Sequence, residues 1–247
     1  MGNKVINTTS VKLGIYETST DEQLEGMLGD VKEMEDGRKF RLCQNGTAGA
    51  LAPALLVQAK IEAGNVTGLT VATTVAAGAT SLSVTVAAAH EDLSENELKD
   101  GYLVVDTGSG ELGHGRKIKA NTAADAEANT TITFYDALTE SITDTSTVAW
   151  VYPIYKNVIT NVVSAKVIGV PVCDVAQSTT AVPVFFWAQV AGPCPIIAGT
   201  GDVTRGLQVA AITTGEVIDH STSAAHVGVA MQSFSENEVG WINLNLE

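Results

Sequence analysis

A glycine-rich motif, GSGELG at residues 108–113, is the pattern in this chain closest to a ligand-binding loop. A GxGxxG segment after a strand binds a dinucleotide pyrophosphate when a helix begins inside it, because the helix N-terminus then faces the anion. Here the next residues, HGRKIK at 114–119, alternate and add another glycine, which is typical of a strand. We therefore expect a hairpin turn and no cofactor at this motif.

The other residue types capable of chemistry are scattered along the chain. The four histidines form no HxH or HExxH pair and have no cysteine nearby, so no metal site is predicted. Asp219, His220 and Ser221 are the residue types of a hydrolytic triad, but neighbours in an extended chain point to opposite faces. The sequence predicts no catalytic residue and a protein that is not an enzyme, with a hydrolase on a β-scaffold as the remaining enzymatic alternative.

Composition and charge narrow the possible partners. The chain has 247 residues and a formal net charge of −14 at pH 7, which repels phosphate backbones and anionic membrane surfaces. We expect neither nucleic acid nor a membrane as partner. Three scattered cysteines do not suit a disulfide framework, and the first residues lack the apolar core of a signal peptide. These features predict a protein made in a reducing cytoplasm.

Two-residue alternation of apolar and hydroxyl side chains dominates from residue 37 onward. Segments such as LSVTV at 82–86 and TITFY at 131–135 are short and are separated by turn residues. Strands without long helices between them must pair antiparallel, in a sandwich or a barrel. The predicted fold class is therefore all-β, mainly antiparallel, with one or two short helices at 21–35 and 90–99.

The first 36 residues differ in character from the rest. Leu24, Met27 and Leu28 recur at helical spacing, which predicts an amphipathic helix in an N-terminal arm at 1–36. Such an arm either docks on another protein or packs on its own body. Alternation then begins before a turn at Asn45 and Gly46, so residues 55–59 are expected as the returning strand.

Three consecutive aromatic residues, Phe185, Phe186 and Trp187, stand out in the second half of the chain. On a strand, consecutive side chains point to opposite faces, so rings must lie on both faces. The rings are either buried between two sheets or form an interface with another protein chain, where aromatic residues are enriched.

Three segments of the closing half belong together, FFWAQVAGPC at 185–194, GLQV at 206–209 and VGVA at 227–230. In these segments the chain resembles the head decoration proteins of tailed bacteriophages. In that family an aromatic strand precedes a barrel strand, and a VGxA segment lies near the end. Residues 35–42 are similar to the opening half, and residues 100–138 look like modules of longer marine-phage members.

The resemblance implies a homotrimer on the capsid exterior that cements neighbouring major capsid proteins. It also implies a β-rich base domain at 37–66 plus 153–247, with a β-domain inserted at 67–152. We expect Leu24, Met27 and Leu28 to face the capsid or a neighbouring copy. Phe185, Phe186 and Trp187 are expected as anchors of the trimer or of the base core. The alternative function is a carbohydrate-binding or adhesin-type β-module of a fibre or surface protein.

Overall fold

The computed structural model describes residues 5–8, 13–21, 27–61, 66–108, 110–162, 165–220 and 226–247, in which the regular elements are β-strands. In chain order these are β1 (Val5–Thr8), β2 (Val31–Met34), β3 (Lys39–Gln44), β4 (Val57–Gln58), β5 (Leu69–Thr70), β6 (Ser81–Thr85), β7 (Tyr102–Thr107), β8 (Gly115–Asn121), β9 (Asn129–Phe134), β10 (Thr147–Val151), β11 (Ile159–Thr160), β12 (Val167–Pro171), β13 (Phe185–Ile197), β14 (Gln208–Ala211), β15 (Val217–Asp219), β16 (His226–Ala230) and β17 (Val239–Asn245).

The strands are divided between two units. Unit 1 comprises Met1–Ile61 and Ile154–Glu247, and unit 2 comprises Glu62–Pro153. The segment that the sequence marks as an insertion, 67–152, falls inside unit 2. Within the described ranges, no helix has the length and hydropathy needed to cross a membrane.

Strand β13 is the centre of unit 1. Its first half pairs with β3 and its second half with β17, in the sheet order β1-β2-β3-β13-β17-β16-β14-β15. The short strands β4, β11 and β12 attach through the pairing of β12 with β13. A bulge between Gln189 and Ala191, followed by Gly192 at φ 86°, lets the long strand bend between its two partners.

Unit 2 is a separate six-stranded sheet in the order β5-β10-β7-β8-β9-β6. Val71, directly after β5, forms a bridge to Val84 in β6, so the two edge strands approach each other and the sheet nearly closes into a barrel. Alternate residues of its strands point into one core, because the side-chain period of a strand is two. That core contains Leu82, Val84, Leu103, Val105, Ile118, Ile132, Phe134, Val148 and Trp150.

The pairings confirm the predicted all-β, antiparallel fold class. Every pairing between the named strands is antiparallel. Burial also follows the predicted alternation, as in β17, where exposed and buried residues alternate along all seven positions. The period-two pattern in the sequence therefore corresponds to one buried and one outward face.

The predicted helix at 21–35 is wrong over its described C-terminal part. Residues 22–26 lie outside the described chain, and Val31–Met34 form β2, which pairs with both β1 and β3. Lys32 and Met34 are the buried positions of this strand. Pairing with β3 thus overrides the local three- and four-residue spacing, because helix propensity is a weak prior against tertiary contacts.

The predicted short helix at 90–99 is also wrong, since this segment forms turns. Asn96 has φ 58°, outside the helical region. The side chain of Asn121 accepts a hydrogen bond from Leu98 N (2.8 Å) and donates one to Ser94 O (2.9 Å). A single amide side chain therefore satisfies the backbone groups that a helix would have paired internally.

The returning strand predicted at 55–59 exists as β4, but it does not return to β3. It pairs with β11 and β12 instead. Asn45, placed in a turn by the sequence, bridges Val158, and its fully buried side chain donates to Gly49 O (3.0 Å) and Ala176 O (2.8 Å). Because Asn45 makes these contacts, β3 and β4 do not form a local hairpin.

Candidate functional site

The glycine-rich segment at 108–113 connects β7 to β8, which pair as an antiparallel hairpin as expected. Its centre is Glu111, whose side chain is 1% exposed and whose φ is 54°. The carboxylate accepts hydrogen bonds from Arg116 Nε (2.9 Å), the Thr139 hydroxyl (2.7 Å) and Glu140 N (2.8 Å), and from Thr139 N. The carboxylate therefore has a full set of protein donors and ties the loop to residues 139 and 140.

The electrostatics of Glu111 follow from these donors. Burial by itself would raise the pKa of the carboxyl, because it disfavours the charged form. Hydrogen bonds from Thr139, Arg116 and the Glu140 backbone outweigh burial and lower the pKa to about 2. A group that stays ionised and fully bonded at neutral pH holds a loop together and is poorly placed to transfer protons.

The histidines do not converge on a reactive centre. His90 is buried, with Nε2 3.0 Å from the Tyr152 hydroxyl and its ring stacked on the Tyr152 ring. His220 and His226 lie with ring centroids 6.0 Å apart. Asp219 accepts a hydrogen bond from Thr204 N (2.9 Å), while Ser221 lies outside the described residues. Among the described residues, no group of three or more His, Cys, Asp or Glu could hold a metal ion.

The predicted interface residues fall in different environments. Leu24 lies outside the described residues, Met27 is 38% exposed, and Leu28 is partly buried. Phe185 is likewise partly buried, whereas Phe186 and Trp187 have no exposed surface. The latter two rings therefore lie in the core of unit 1.

Trp187 links the centre of unit 1 to its N-terminal segment. Its Nε1 donates to Leu13 O (2.9 Å), and the Lys32 ammonium donates to the same oxygen while lying 4.4 Å from the Trp187 ring centroid. Ser19 also pairs with Phe185 through backbone hydrogen bonds. The described residues 13–19 therefore pack on the body of unit 1, one of the two outcomes that the sequence allowed for the arm.

An apolar outward surface of unit 1 surrounds Trp241, and no inference from the sequence included it. Trp241 lies opposite Pro195 on β13, and its carbonyl accepts a hydrogen bond from Met231 N (2.9 Å). Residues opposite each other in an antiparallel pair share a face, and Gly240, Ile242 and Leu244 are the buried positions of β17. We call this surface the Trp241 face; its residues are Pro195, Ile197, Val229, Met231, Val239, Trp241 and Asn243.

The Trp241 face combines exposure with a lack of charge. Trp241 is 47% exposed, Val239 56% and Met231 47%, and none of the defining residues carries a charge. The signal was present in the terminal alternation, because Trp241 is in phase with Asn243 and Asn245 and out of phase with buried Leu244. A tryptophan in the polar phase of a strand points outward.

Unit 2 has a different outward feature, a row of four residues across neighbouring strands. Tyr102 on β7 lies opposite Val151 on β10 and Lys117 on β8, and Tyr135 N donates to Lys117 O (3.2 Å). We call these residues, Val151, Tyr102, Lys117 and Tyr135, the tyrosine row. The Tyr135 hydroxyl donates to Asp100 Oδ1 (3.2 Å), which is 3.7 Å from the Lys117 ammonium.

Comparisons of the chain with protein-family models, with curated proteins and with solved structures find no match. Function therefore has to be inferred from the two outward surfaces and from the sequence itself.

Proposed function

We propose that the protein is a decoration protein of a tailed-phage head. It would bind the capsid exterior and stabilise contacts between major capsid proteins, without chemical catalysis. The resemblance of residues 185–194, 206–209 and 227–230 to such proteins is the reason for naming the capsid. The structural observation that supports the proposal is the Trp241 face, an exposed apolar sheet surface of the kind that marks protein contacts, because a decoration protein that acts as a trimer needs such a surface for self-association.

Burial of apolar surface is sufficient for this role. At about 25 cal/mol per Å², covering roughly 400 Å² contributes on the order of 10 kcal/mol before the cost of association is subtracted. A trimer presents each capsid contact three times, so weak individual contacts combine into strong attachment. The mechanism is therefore avidity, and no reactive side chain is required.

We assign the Trp241 face to contact between copies of this chain. With a formal charge of −14, copies repel one another at long range, so a stable contact forms most readily where no charged groups face each other. The residues of the Trp241 face meet that requirement, and Trp and Met are enriched in interface cores. Other surfaces would then bind the capsid, and Met27 and Leu28 are the residues predicted for that contact.

Sedimentation of the purified protein tests the contact between copies. We expect a trimer near 77 kDa, three times the chain mass of 25.7 kDa, and dissociation of the Trp241→Ala variant at concentrations where the wild type stays assembled. Loss of a central aromatic residue weakens association by about 30-fold or more. Tyr16→Ala, which removes a 62% exposed ring elsewhere on unit 1, is the matched control. A monomeric wild type would refute this assignment.

Quantification of the protein in purified virions tests the capsid role. We expect the chain in stoichiometric amounts on intact heads of the phage that encodes it, accessible to antibodies on the particle surface. Added protein should also bind heads that lack it and raise their resistance to heat. Absence of the chain from purified particles would contradict the proposal, whatever its oligomeric state.

A carbohydrate-binding or adhesin-type module is the second candidate. Exposed tyrosines beside a carboxylate, as in the tyrosine row with Asp100, are the observation that favours it. The two roles can coexist in one chain, because the Trp241 face and the tyrosine row lie in different units.

A further inference from the structure

The tyrosine row exposes two aromatic rings and a valine on the outward side of unit 2. Tyr102 is 52% exposed, Tyr135 40% and Val151 51%, whereas the inward Leu103 of the same strand is 1% exposed. Each exposed ring offers an apolar face together with a polar hydroxyl. The row is therefore a platform for a ligand that has both apolar and hydroxyl-rich surfaces.

The platform is held in place before any ligand arrives. Asp100 fixes the Tyr135 hydroxyl at 3.2 Å and lies 3.7 Å from the Lys117 ammonium, which is 5.8 Å from the Tyr135 ring centroid. Burial and the neighbouring Asp100 carboxylate raise the pKa of the Tyr135 hydroxyl, so the phenol stays neutral. A preorganised ring loses less conformational entropy on binding.

Spacing and charge favour one class of ligand. Strand β8 lies between β7, which carries Tyr102, and β9, which Tyr135 directly follows. The backbones of Tyr102 and Tyr135 are therefore about 10 Å apart at the usual strand spacing. The Tyr135 hydroxyl reaches Asp100, two residues before Tyr102, so both rings belong to one platform that can contact neighbouring units of a sugar chain. The single cation, Lys117, is close to Asp100, so the row as a whole is near neutral. Single-stranded nucleic acid also stacks on aromatic rings but needs a positively charged groove, which is absent from this row.

We propose that the tyrosine row of unit 2 binds a neutral oligosaccharide. Tyr102 and Tyr135 would stack on the apolar faces of two sugar units. Lys117 would donate to ligand hydroxyls, and Val151 would extend the apolar surface beside Tyr102. Asp100 is largely covered and would hold Tyr135 and Lys117 in position. This site is independent of the capsid role, since it involves neither the Trp241 face nor the N-terminal segment.

Saturation-transfer NMR on the full chain tests the site, because it detects weak binding to large assemblies. The probes are maltohexaose, cellohexaose, chitohexaose and xylohexaose at millimolar concentration, with a hyaluronan hexasaccharide and a 20-mer of thymidylate as anionic probes. We expect transfer to at least one neutral hexasaccharide and none to the anionic probes. No transfer to any neutral probe, or stronger transfer to an anionic one, would overturn the proposal.

Variants then locate the binding. Tyr102→Ala and Tyr135→Ala are each expected to weaken binding by about tenfold or more, as loss of a stacked ring does. Tyr135→Phe keeps the ring and removes the bond to Asp100, so its effect should be smaller. Tyr16→Ala removes an exposed tyrosine of unit 1 and should bind as the wild type does. Equal binding by wild type and Tyr102→Ala would exclude this surface, and circular dichroism shows whether each variant is folded.

Discussion

Among the described residues, unit 1 buries Lys32 and Trp187, and unit 2 buries Glu111 and Trp150. In unit 2, Glu111 takes its donors from Arg116, five residues away, and from Thr139, 28 residues away. In unit 1, Lys32 and Trp187 share one acceptor, Leu13 O, which is 19 residues from Lys32 but 174 residues from Trp187. Unit 2 thus supplies the partners of its buried carboxylate from one continuous segment, whereas unit 1 depends on hydrogen bonds between distant parts of the chain.

The C-terminal residue makes a second long-range contact in unit 1. Glu247, the last residue, accepts a hydrogen bond from Arg41, 206 residues earlier in the sequence. Among the described residues, Nε1 of the buried Trp150 in unit 2 has no hydrogen-bond partner, whereas Nε1 of Trp187 in unit 1 has one. A unit formed by one continuous segment has to find partners for a buried charge inside that segment, as unit 2 does for Glu111.

Cysteine chemistry separates the two units experimentally. All three cysteines, Cys43, Cys173 and Cys194, belong to unit 1, and Cys43 and Cys194 are buried. Burial raises the pKa of Cys194 to about 12 and that of Cys43 further, so neither thiol reacts in the folded state. Labelling of these two thiols therefore measures the opening of unit 1, while hydrogen exchange in β8 and β9 measures unit 2.

The largest effect is expected from Glu111→Ala. Removal of one partner from a buried ion pair costs about 3–5 kcal/mol, because Arg116 and the loop amides lose their acceptor. Hydrogen exchange in β8 and β9 should accelerate, with the labelling rates of Cys43 and Cys194 unchanged. Glu140→Ala removes an exposed carboxylate from the segment that Glu111 binds and is expected to change little. Equal destabilisation of both units would contradict the claim that Glu111 stabilises unit 2 alone.

Acidification should weaken unit 2 by a smaller amount, because protonation leaves the Glu111 side chain in place. The folded pKa of about 2 lies below the ordinary value of 4.5. The contribution of Glu111 is therefore fully present above about pH 4.5 and is lost as the pH falls through 2. Hydrogen exchange of the Glu140 amide at pH 5 and pH 2 measures this loss, which should disappear in Glu111→Gln.

Replacement of each buried tryptophan by phenylalanine tests the difference in hydrogen bonding. Both rings are buried, so the loss of volume is similar. Trp187→Phe also loses the bond to Leu13, and we expect it to lower the free energy of unfolding by about 1–2 kcal/mol more than Trp150→Phe does. Urea unfolding, followed by thiol labelling for unit 1 and by hydrogen exchange for unit 2, gives both values. Equal losses would mean that the Leu13 bond contributes nothing.

The smallest effect on folding is expected at the two outward surfaces. Trp241→Ala and Tyr102→Ala should each lower the free energy of unfolding of the dissociated chain by about 1 kcal/mol, because about half of each side chain is already exposed. Urea unfolding at a concentration below assembly measures this. A large loss in either variant would assign that ring to the core of its unit and would weaken the corresponding binding proposal.

Much of the strand content could be predicted, since alternation is a local signal. The runs at 82–86, 102–106 and 131–135 coincide with β6, β7 and β9 within a few residues. The two predicted helices failed because their backbone groups are satisfied by residues outside each segment. For residues 31–34 the partner is β3, and for the segment near Leu98 it is the Asn121 side chain.

Side-chain alternation could not predict which strands pair with each other. Residues 57 and 58 form the expected strand, but they pair with β11 and β12, about 100 residues later in the chain. The outward position of Trp241 was readable from its phase with Asn243 and Asn245. Its neighbours Pro195 and Met231 were not, because they reach that face through the pairing of separate strands.

The sequence by itself determined an all-β chain whose strands each have an inward and an outward phase, because side-chain alternation is a property of the strand alone. Only the tertiary structure decided which outward residues meet on one surface and which carbonyl receives the Trp187 N–H. Those outcomes depend on register between strands distant in the chain, and a contact across 174 residues leaves no periodic trace in the sequence.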